Sequence, residues 1–326
     1  MDLKSDTFDR LDVQLLSALE VDGRAPFSRI ATVLGVSDQT VARRYRKLRA
    51  EGGLRVVAVR DAERLGQDQW ILRLRCAPHN AGTIAEALAK RPDTAWIGLA
   101  SGGTEVVCIT RPRHPGDHDD LLLGKLPRTP SMLEIRAHQL LHRFYGGPTG
   151  WTAKFGALTD EQTAALRPVP PASSGPVRIV PEDEPLIAAL ERDGRATFPE
   201  LQRATGLSES AVKRRLAGLL ASGAVYIDVE YHSEVLGYPL ATILWITAAP
   251  AALHTVGQAL ATHPEIAFAS ATAGSSNIVV TAVARDTADL YAYLSGRLGA
   301  LEGVRHVETT PFLHRVKQLT YTRPPR

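Results

Sequence analysis

The stretch DGRAPFSRIATVLGVSDQTVARRYRKL, beginning at Asp22, returns as DGRATFPELQRATGLSESAVKRRLAGL, beginning at Asp193. A period of 171 residues is far beyond the ~20–50 residues of a solenoid repeat and suits a duplicated half that itself holds two domains. Whatever one half folds into must be built twice, and whatever it does is done in pairs.

Within the first copy, Leu11, Leu15, Leu16 and Leu19 recur at helical spacing until Asp22-Gly23 stops the helix. Ser28 is positioned to cap a second, short helix that Gly35 ends in the left-handed conformation. Ser37 caps a third helix running to about Glu51. Helix, short turn, helix is the geometry that presents its last helix to a DNA major groove. On that third helix Val41, Tyr45 and Leu48 point one way, while Gln39, Arg43, Arg46 and Lys47 lie opposite and Arg44 and Arg49 flank the apolar stripe. Arginine and glutamine match guanine and adenine edges, so Ser37, Gln39, Thr40, Arg43, Arg44, Arg46, Lys47 and Arg49 are the expected contacts to double-stranded DNA. The alternative for such a face is simple solvation. The second copy keeps its core as Val212, Leu216 and Leu219 and offers Ser208, Ser210, Lys213, Arg214 and Arg215, but Ala217 and Gly218 stand where the first has Arg46 and Lys47. That leaves direct DNA contact or a structural remnant open for this copy.

Each unit leads into an extended segment ending in a leucine-glycine pair, LRVVAVRDAERLG and AVYIDVEYHSEVLG. In the first half the periodicity predicts strand Trp70–Cys76, helix His79–Arg91, strands Trp96–Ala100 and Val106–Thr110, helix Asp119–Leu126 and strand Leu133–Leu140. The second half repeats the order around Ile243, Leu253, Phe268, Val279, Ala288 and Val307. Such a βαββαβ order folds as a four-stranded antiparallel sheet with both helices on one face, whose other face must be covered by a second sheet from the same chain or another. The expected class is α+β: helix-turn-helix domains at 1–60 and 182–232, ferredoxin-like domains at 61–150 and 233–326, and a linker at 151–181 holding the Pro/Ser/Gly run RPVPPASSGP. A short helix from Thr159 is expected just before that run.

Composition narrows the partners. The chain's 326 residues are 44% hydrophobic and 22% charged with a net charge of +3, ordinary for a globular protein and too mild to indicate nucleic acid by itself. The two cysteines, Cys76 and Cys108, lie in apolar strand-like runs and read as core thiols in a reducing, cytoplasmic setting rather than a disulfide or metal framework. MDLKSDTFDR lacks the pattern of a signal peptide, and no apolar run reaches the ~18 residues of a membrane span, so no membrane partner is expected. HPGDHDD (114–120) offers His and Asp in a surface loop, and His142 and His314 recur at equivalent places, but no metal or cofactor is expected from either. No nucleophile triad, phosphate loop or HExxH stands out, so the chain is not expected to be an enzyme.

In the order of its elements, in LDVQLLSALEVDGR, LGVS and the Arg44 position, and in the later leucine-glycine pairs, the chain resembles the Lrp/AsnC family of transcription regulators in tandem form. The resemblance covers nearly the whole chain. It implies helix-turn-helix units joined to RAM-type domains that sense amino acids or related small molecules and mediate homo-oligomers. The family's G-x-x-D turn between the two middle strands is matched by Gly102-Gly103-Thr104-Glu105 and Gly274-Ser275-Ser276-Asn277, which with Ser101 and Ala273 form the expected effector sites. Exposed amides and hydroxyls there suit a carboxylate, although a plain hairpin turn would favour the same residues. The acidic position departs from Asp in both copies, and Asn277 carries no charge, which weakens the expectation of ammonium recognition most in the second half. Two other readings stay open: a non-DNA-binding interaction protein, and a siroheme-decarboxylase-like enzyme on a similar fold. The latter needs histidine and aromatic groups around a tetrapyrrole, and the segment IAFASATAGSSNIVVTAV from Ile266 has neither histidine nor tyrosine.

Overall fold

The structure, a computed structural model, describes residues 8–113, 117–168 and 177–320. The first half runs α1 (Arg10–Val21), α2 (Phe27–Leu34), α3 (Asp38–Glu51), β1 (Arg55–Arg60), β2 (Gln69–Cys76), α4 (Ala81–Ala89), β3 (Thr94–Ala100), β4 (Glu105–Thr110), α5 (Asp117–Asp119, continued by a π turn to Lys125), β5 (Met132–Tyr145) and α6 (Asp160–Leu166). The second runs α7 (Glu184–Arg192), α8 (Phe198–Thr205), α9 (Glu209–Ser222), β6 (Val225–Glu230), β7 (Leu240–Ala248), α10 (Leu253–Thr262), β8 (Ile266–Thr272), β9 (Ile278–Ala284), α11 (Thr287–Tyr293) and β10 (Val304–Lys317). The expected order of elements is present in both.

The halves do not stand as separate bodies. The chain divides by kind, into a helical unit (1–67 with 147–237) and a sheet unit (68–146 with 238–326). In the helical unit the segments after the two recognition helices pair antiparallel as β1 and β6, Arg55 opposite Glu230 and Arg60 opposite Val225. Leu186, Leu190, Leu201, Val212, Leu216 and Leu219 form the core of the second copy. An Asp9–Asp12 capping box opens α1, and Ser37 and Ser208 cap α3 and α9 through the amides of Thr40 and Ala211. Ser28 does not cap α2. The helix begins at Phe27 after Pro26, whose fixed φ sets the entry without a side-chain bond, and the Ser28 carbonyl instead accepts from Thr32 Oγ1.

Part of the expected linker is ordered structure. Residues Trp151–Phe155 form a short 3-10 turn, and α6 starts at a capping box between Thr159 and Gln162. This strap lies on the first helical copy: Gln14 Nε2 donates to the Ala157 carbonyl, Gln162 Nε2 to the Val33 carbonyl, and the Arg29 guanidinium to the Ala165 carbonyl. Buried Trp151 and Leu166 supply the apolar contact that composition in the Pro-rich run alone could not. Residues 169–176 of that run lie outside the described residues, as do 114–116 of HPGDHDD.

In the sheet unit each half contributes a ferredoxin-like antiparallel sheet, in orders β3-β4-β2-β5 and β8-β9-β7-β10. Strands β5 and β10 run further than the sequence pattern indicates. Their extra length lets β5 pair with β8 (Leu140 opposite Thr272) and β10 with β3 (Phe312 opposite Ala100), closing an eight-stranded barrel. The open face of each sheet is thus covered by the other sheet of the same chain. Alternation then sorts the side chains: Leu72, Leu74 and Cys76 pack toward α4, whereas Ile71, Val107, Ile243, Trp245 and Val279 fill the barrel.

Candidate functional site

The third helix of each copy is fixed by an inward ion pair. Arg44 on α3 meets Asp9 at 2.7 Å and the fully buried Asp12 at 3.1 Å, and Arg215 on α9 meets Asp183 at 2.7 Å. Burial alone would raise the Asp9 carboxyl, but the Asp12 amide and the Arg44 guanidinium outweigh it and hold Asp9 below its usual range. Arg44 and Arg215, both among the expected DNA contacts, thus also anchor helix to helix, with side chains 21% and 32% exposed. Lys47 leans the same way, 3.6 Å from Asp12 and over the Phe8 ring at 4.8 Å.

The remaining expected residues of α3 face outward. Gln39, Arg43, Arg46 and Arg49 are exposed, Thr40 is half-buried and bonded to Ser37, and Tyr45 carries the Arg49 guanidinium over its ring at 5.9 Å. On α9 the exposed cations are Lys213 and Arg214, with Ala217 and Gly218 beside them. Lys213 is tied to Glu209 at 2.6 Å and sits over Phe198 at 4.9 Å. Ser208 and Ser210 bond each other at 3.1 Å at the helix start. The two faces lie on helices of equal length, 14 residues each, and differ in charge.

A reciprocal clasp joins the copies. Arg24 donates to the carbonyls of Gly194 and Ala196, and Arg195 donates to those of Gly23 (2.6 Å) and Ala25 (2.9 Å). Each guanidinium also lies over the other copy's aromatic ring, Arg24 over Phe198 and Arg195 over Phe27. Equivalent residues contacting each other in both directions are what a two-fold interface requires. Here the axis lies inside one chain.

The two glycine turns differ more than their sequences suggest. Between β3 and β4, Ser101 Oγ donates to Glu105 at 2.8 Å, and Glu105 is buried under Arg73, whose Nη2 also reaches Glu308 at 2.6 Å. Arg73 lies over the Trp245 ring at 4.6 Å. Burial opposes the charge on Arg73, but hydrogen bonds to Glu308 and Glu105 override it and raise its pKa, and the same bond holds Glu308 low. Gly102, Gly103 and Thr104 remain at the surface of this turn. Between β8 and β9, Asn277 pairs through its amide with both backbone groups of Ala248, at 2.8 Å each, so its side chain completes a strand edge. Ala273 accepts from His138 Nδ1 at 3.0 Å, Ser275 accepts Thr247 Oγ1, Ser276 accepts Thr272 Oγ1, and Gly274 (φ +117°) could not carry a Cβ without meeting His138 Nδ1 at 2.4 Å. Sequence reasoning missed Arg73, His138, Trp245 and Glu308. The 172-residue offset was the available signal, since it superposes Arg73 on Trp245 and Arg136 on Glu308, unlike residues at equivalent strand positions.

The profile of the AsnC-type helix-turn-helix domain matches residues 8–49 and again 183–220, and that of the Lrp/AsnC ligand binding domain matches 241–322. The chain belongs to the Lrp/AsnC family. An uncharacterised HTH-type transcriptional regulator of Pyrococcus abyssi is 27% identical over 153 residues, covering 47% of this chain and 96% of the relative. The HTH-type transcriptional regulator LrpA of Pyrococcus horikoshii is 28% identical over 136 residues, covering 41% of this chain and 96% of the relative. One relative spans less than half of this Lrp/AsnC chain, as a duplication requires. A solved structure of the siroheme decarboxylase NirDL matches 97% of this chain and 95% of its own with a TM-score of 0.63 at 11% identity, a likeness of fold alone. Among the described residues no helix is long and apolar enough to cross a membrane, and no group of three metal-ligating side chains converges.

Proposed function

We propose that this Lrp/AsnC chain is a sequence-specific regulator in which one polypeptide presents both recognition helices to one DNA site, with a small-molecule effector acting on the sheet unit. The observation that carries the reading is the outward face of α3, where Gln39, Arg43, Arg46 and Arg49 are exposed while the half-buried Arg44 turns to Asp9 and Asp12. Arg43, Arg46 and Arg49 are the contacts of the first half, joined by Gln39 and the Ser37 and Thr40 hydroxyls. Arg214 and Lys213, with Ser208 and Ser210, are the weaker contacts of the second. Arg44, Lys47 and Arg215 act by positioning. The effector domains (61–150 and 233–326) keep the Gly102 and Gly274 turns as the proposed effector-responsive elements, without catalysis, in a cytoplasmic homo-oligomer.

Site selection from random DNA should yield a pseudo-palindrome with one strong and one degenerate half, because the second face carries Lys213, tied to Glu209, and Arg214 against Arg43, Arg46 and Arg49 in the first. Arg43→Ala should relax base choice in the strong half by about 1–3 kcal/mol, Arg214→Ala should do less, and binding should fall steeply with salt as counterions are released. A salt-independent gel shift sinks the reading. Adding an iron tetrapyrrole while recording the absorbance spectrum tests the non-enzymatic part, which a bound-haem band followed by carbon dioxide release would overturn.

A further inference from the structure

We propose that Arg195, in the turn between α7 and α8 of the second copy, is a positioning residue for the DNA face of the first: acting through the Tyr45 ring of α3, it holds the Arg49 guanidinium ready for a phosphate of the strong half-site. The proposal rests on the regulatory reading above and deepens it by giving the second copy a part in the binding done by the first. Arg195 is itself fixed. Its two Nη groups donate to the Gly23 and Ala25 carbonyls, so the planar guanidinium is clamped at two points, and it lies over Phe27 at 4.7 Å and over Tyr45 at 5.6 Å. The Phe27 and Tyr45 rings meet each other at 5.1 Å, which makes the three side chains one packed cluster. Burial raises the pKa of the Tyr45 phenol against the pull of Arg195 and Arg49, so the ring stays neutral and both cations meet it as a π face. Arg49 is exposed, and among the described residues its guanidinium has no ion pair or hydrogen bond; the Tyr45 ring is what it rests on. A long side chain loses freedom when it grips a phosphate, and a ring that already holds it removes part of that cost.

The relay runs one way. The offset of 171 residues puts Phe198 where Phe27 stands, but Leu216 where Tyr45 stands and Leu220 where Arg49 stands. Arg24 makes the matching bonds to Gly194 and Ala196 and covers Phe198 at 5.8 Å, yet leucine offers no π face to pass its position on. The cation that α9 does place over Phe198, Lys213, is already fixed by Glu209 at 2.6 Å and does not depend on Arg24 for its position. The second copy thus supports the reading face of the first without receiving the same support in return.

Anisotropy titrations of the full chain use a duplex in which the selected strong half-site stands beside a scrambled second half. Arg195→Ala should weaken binding about five- to tenfold and lower the salt slope by about one, the signature of one lost phosphate contact. Arg49→Ala should do the same. The double variant should lose little more than either alone, because both changes remove a single contact. Tyr45→Leu, which installs the residue of the second copy and leaves the carbonyl bonds of Arg195 in place, should lose that contact too, and it carries the test if circular dichroism finds Arg195→Ala unfolded. Full affinity and salt slope in a folded Arg195→Ala or in Tyr45→Leu, or losses from Arg195→Ala and Arg49→Ala that add in the double variant, overturn the proposal. An unaltered chain whose gel shift ignores salt fails the regulatory reading before any variant is made, so the two failures are distinct.

Discussion

Glu20 and Glu191 occupy the same place in the two copies, 171 residues apart, and meet opposite environments. Glu191 is paired with Arg60 at 3.1 Å, and Arg60 also reaches Glu184. At the equivalent of Arg60 stands Tyr231, whose hydroxyl donates to Glu20 at 2.9 Å without neutralising it. Desolvation, with Asp228 adding repulsion, outweighs the hydrogen bonds from Thr152 and Tyr231 and pushes the Glu20 carboxyl up to about 7. The folded chain then holds a proton that the unfolded chain, with a value near 4.5, releases, so stability falls as pH rises from about 4.5 to 7 and levels off above. Glu20→Gln should remove that dependence. Its advantage over the unaltered protein in urea unfolding should grow over the same window to roughly 1–2 kcal/mol, below the full-shift ceiling because the side chain keeps some water contact. A difference that does not vary with pH would count against this account. Arg44→Ala works in the other direction: it strips the main partner from buried Asp12, with Lys47 left as partial compensation, and should cost about 2–4 kcal/mol of stability at neutral pH.

Among the elements, the Asp-Gly-Arg turn does more than end a helix. A Cβ on Gly23 would lie 2.3 Å from Ile227 Cγ2, and one on Gly194 would lie 3.0 Å from the Val56 backbone, because each turn abuts the opposite copy's strand. Gly23→Ala should therefore loosen β1–β6 pairing and destabilise the helical unit by about 1–3 kcal/mol, read as a lowered urea midpoint. Arg24→Ala should weaken binding to the complete operator more than to an isolated strong half-site, since it releases one copy from the other without touching α3's outer face. Equal losses on both DNAs would mean that the clasp does not set the spacing of the helices.

For the whole molecule, pairing within the chain rests on unlike residues. Two first halves would set Arg73 against a second Arg73, whereas the actual partner supplies the Trp245 face and the Glu308 carboxylate. Trp245→Arg removes the buried indole and sets a second guanidinium against Arg73, which already holds both Glu105 and Glu308, and should lower stability by about 2–4 kcal/mol in denaturant melts. If the variant melts as the parent does, the complementarity is incidental.

What the sequence determined by itself was local and periodic. The repeat, the helical stripe of Val41, Tyr45 and Leu48, the alternation in the strands and the cap at Ser37 depend on residues within a few positions of one another, where backbone geometry alone sets the faces. The direction of Arg44 was not legible from the helix, because a flanking position can turn either way and its partner Asp12 is 32 residues upstream. The same separation between Asp183 and Arg215 is the one sequence signal that favours the inward choice. Barrel closure, the strap over α1 and α2, the burial of Glu20 and the meeting of Arg73, Trp245 and His138 were decided by tertiary structure. Each depends on groups brought together across more than a hundred residues, and desolvation and charge pairing act on final distance in space, which local pattern does not encode.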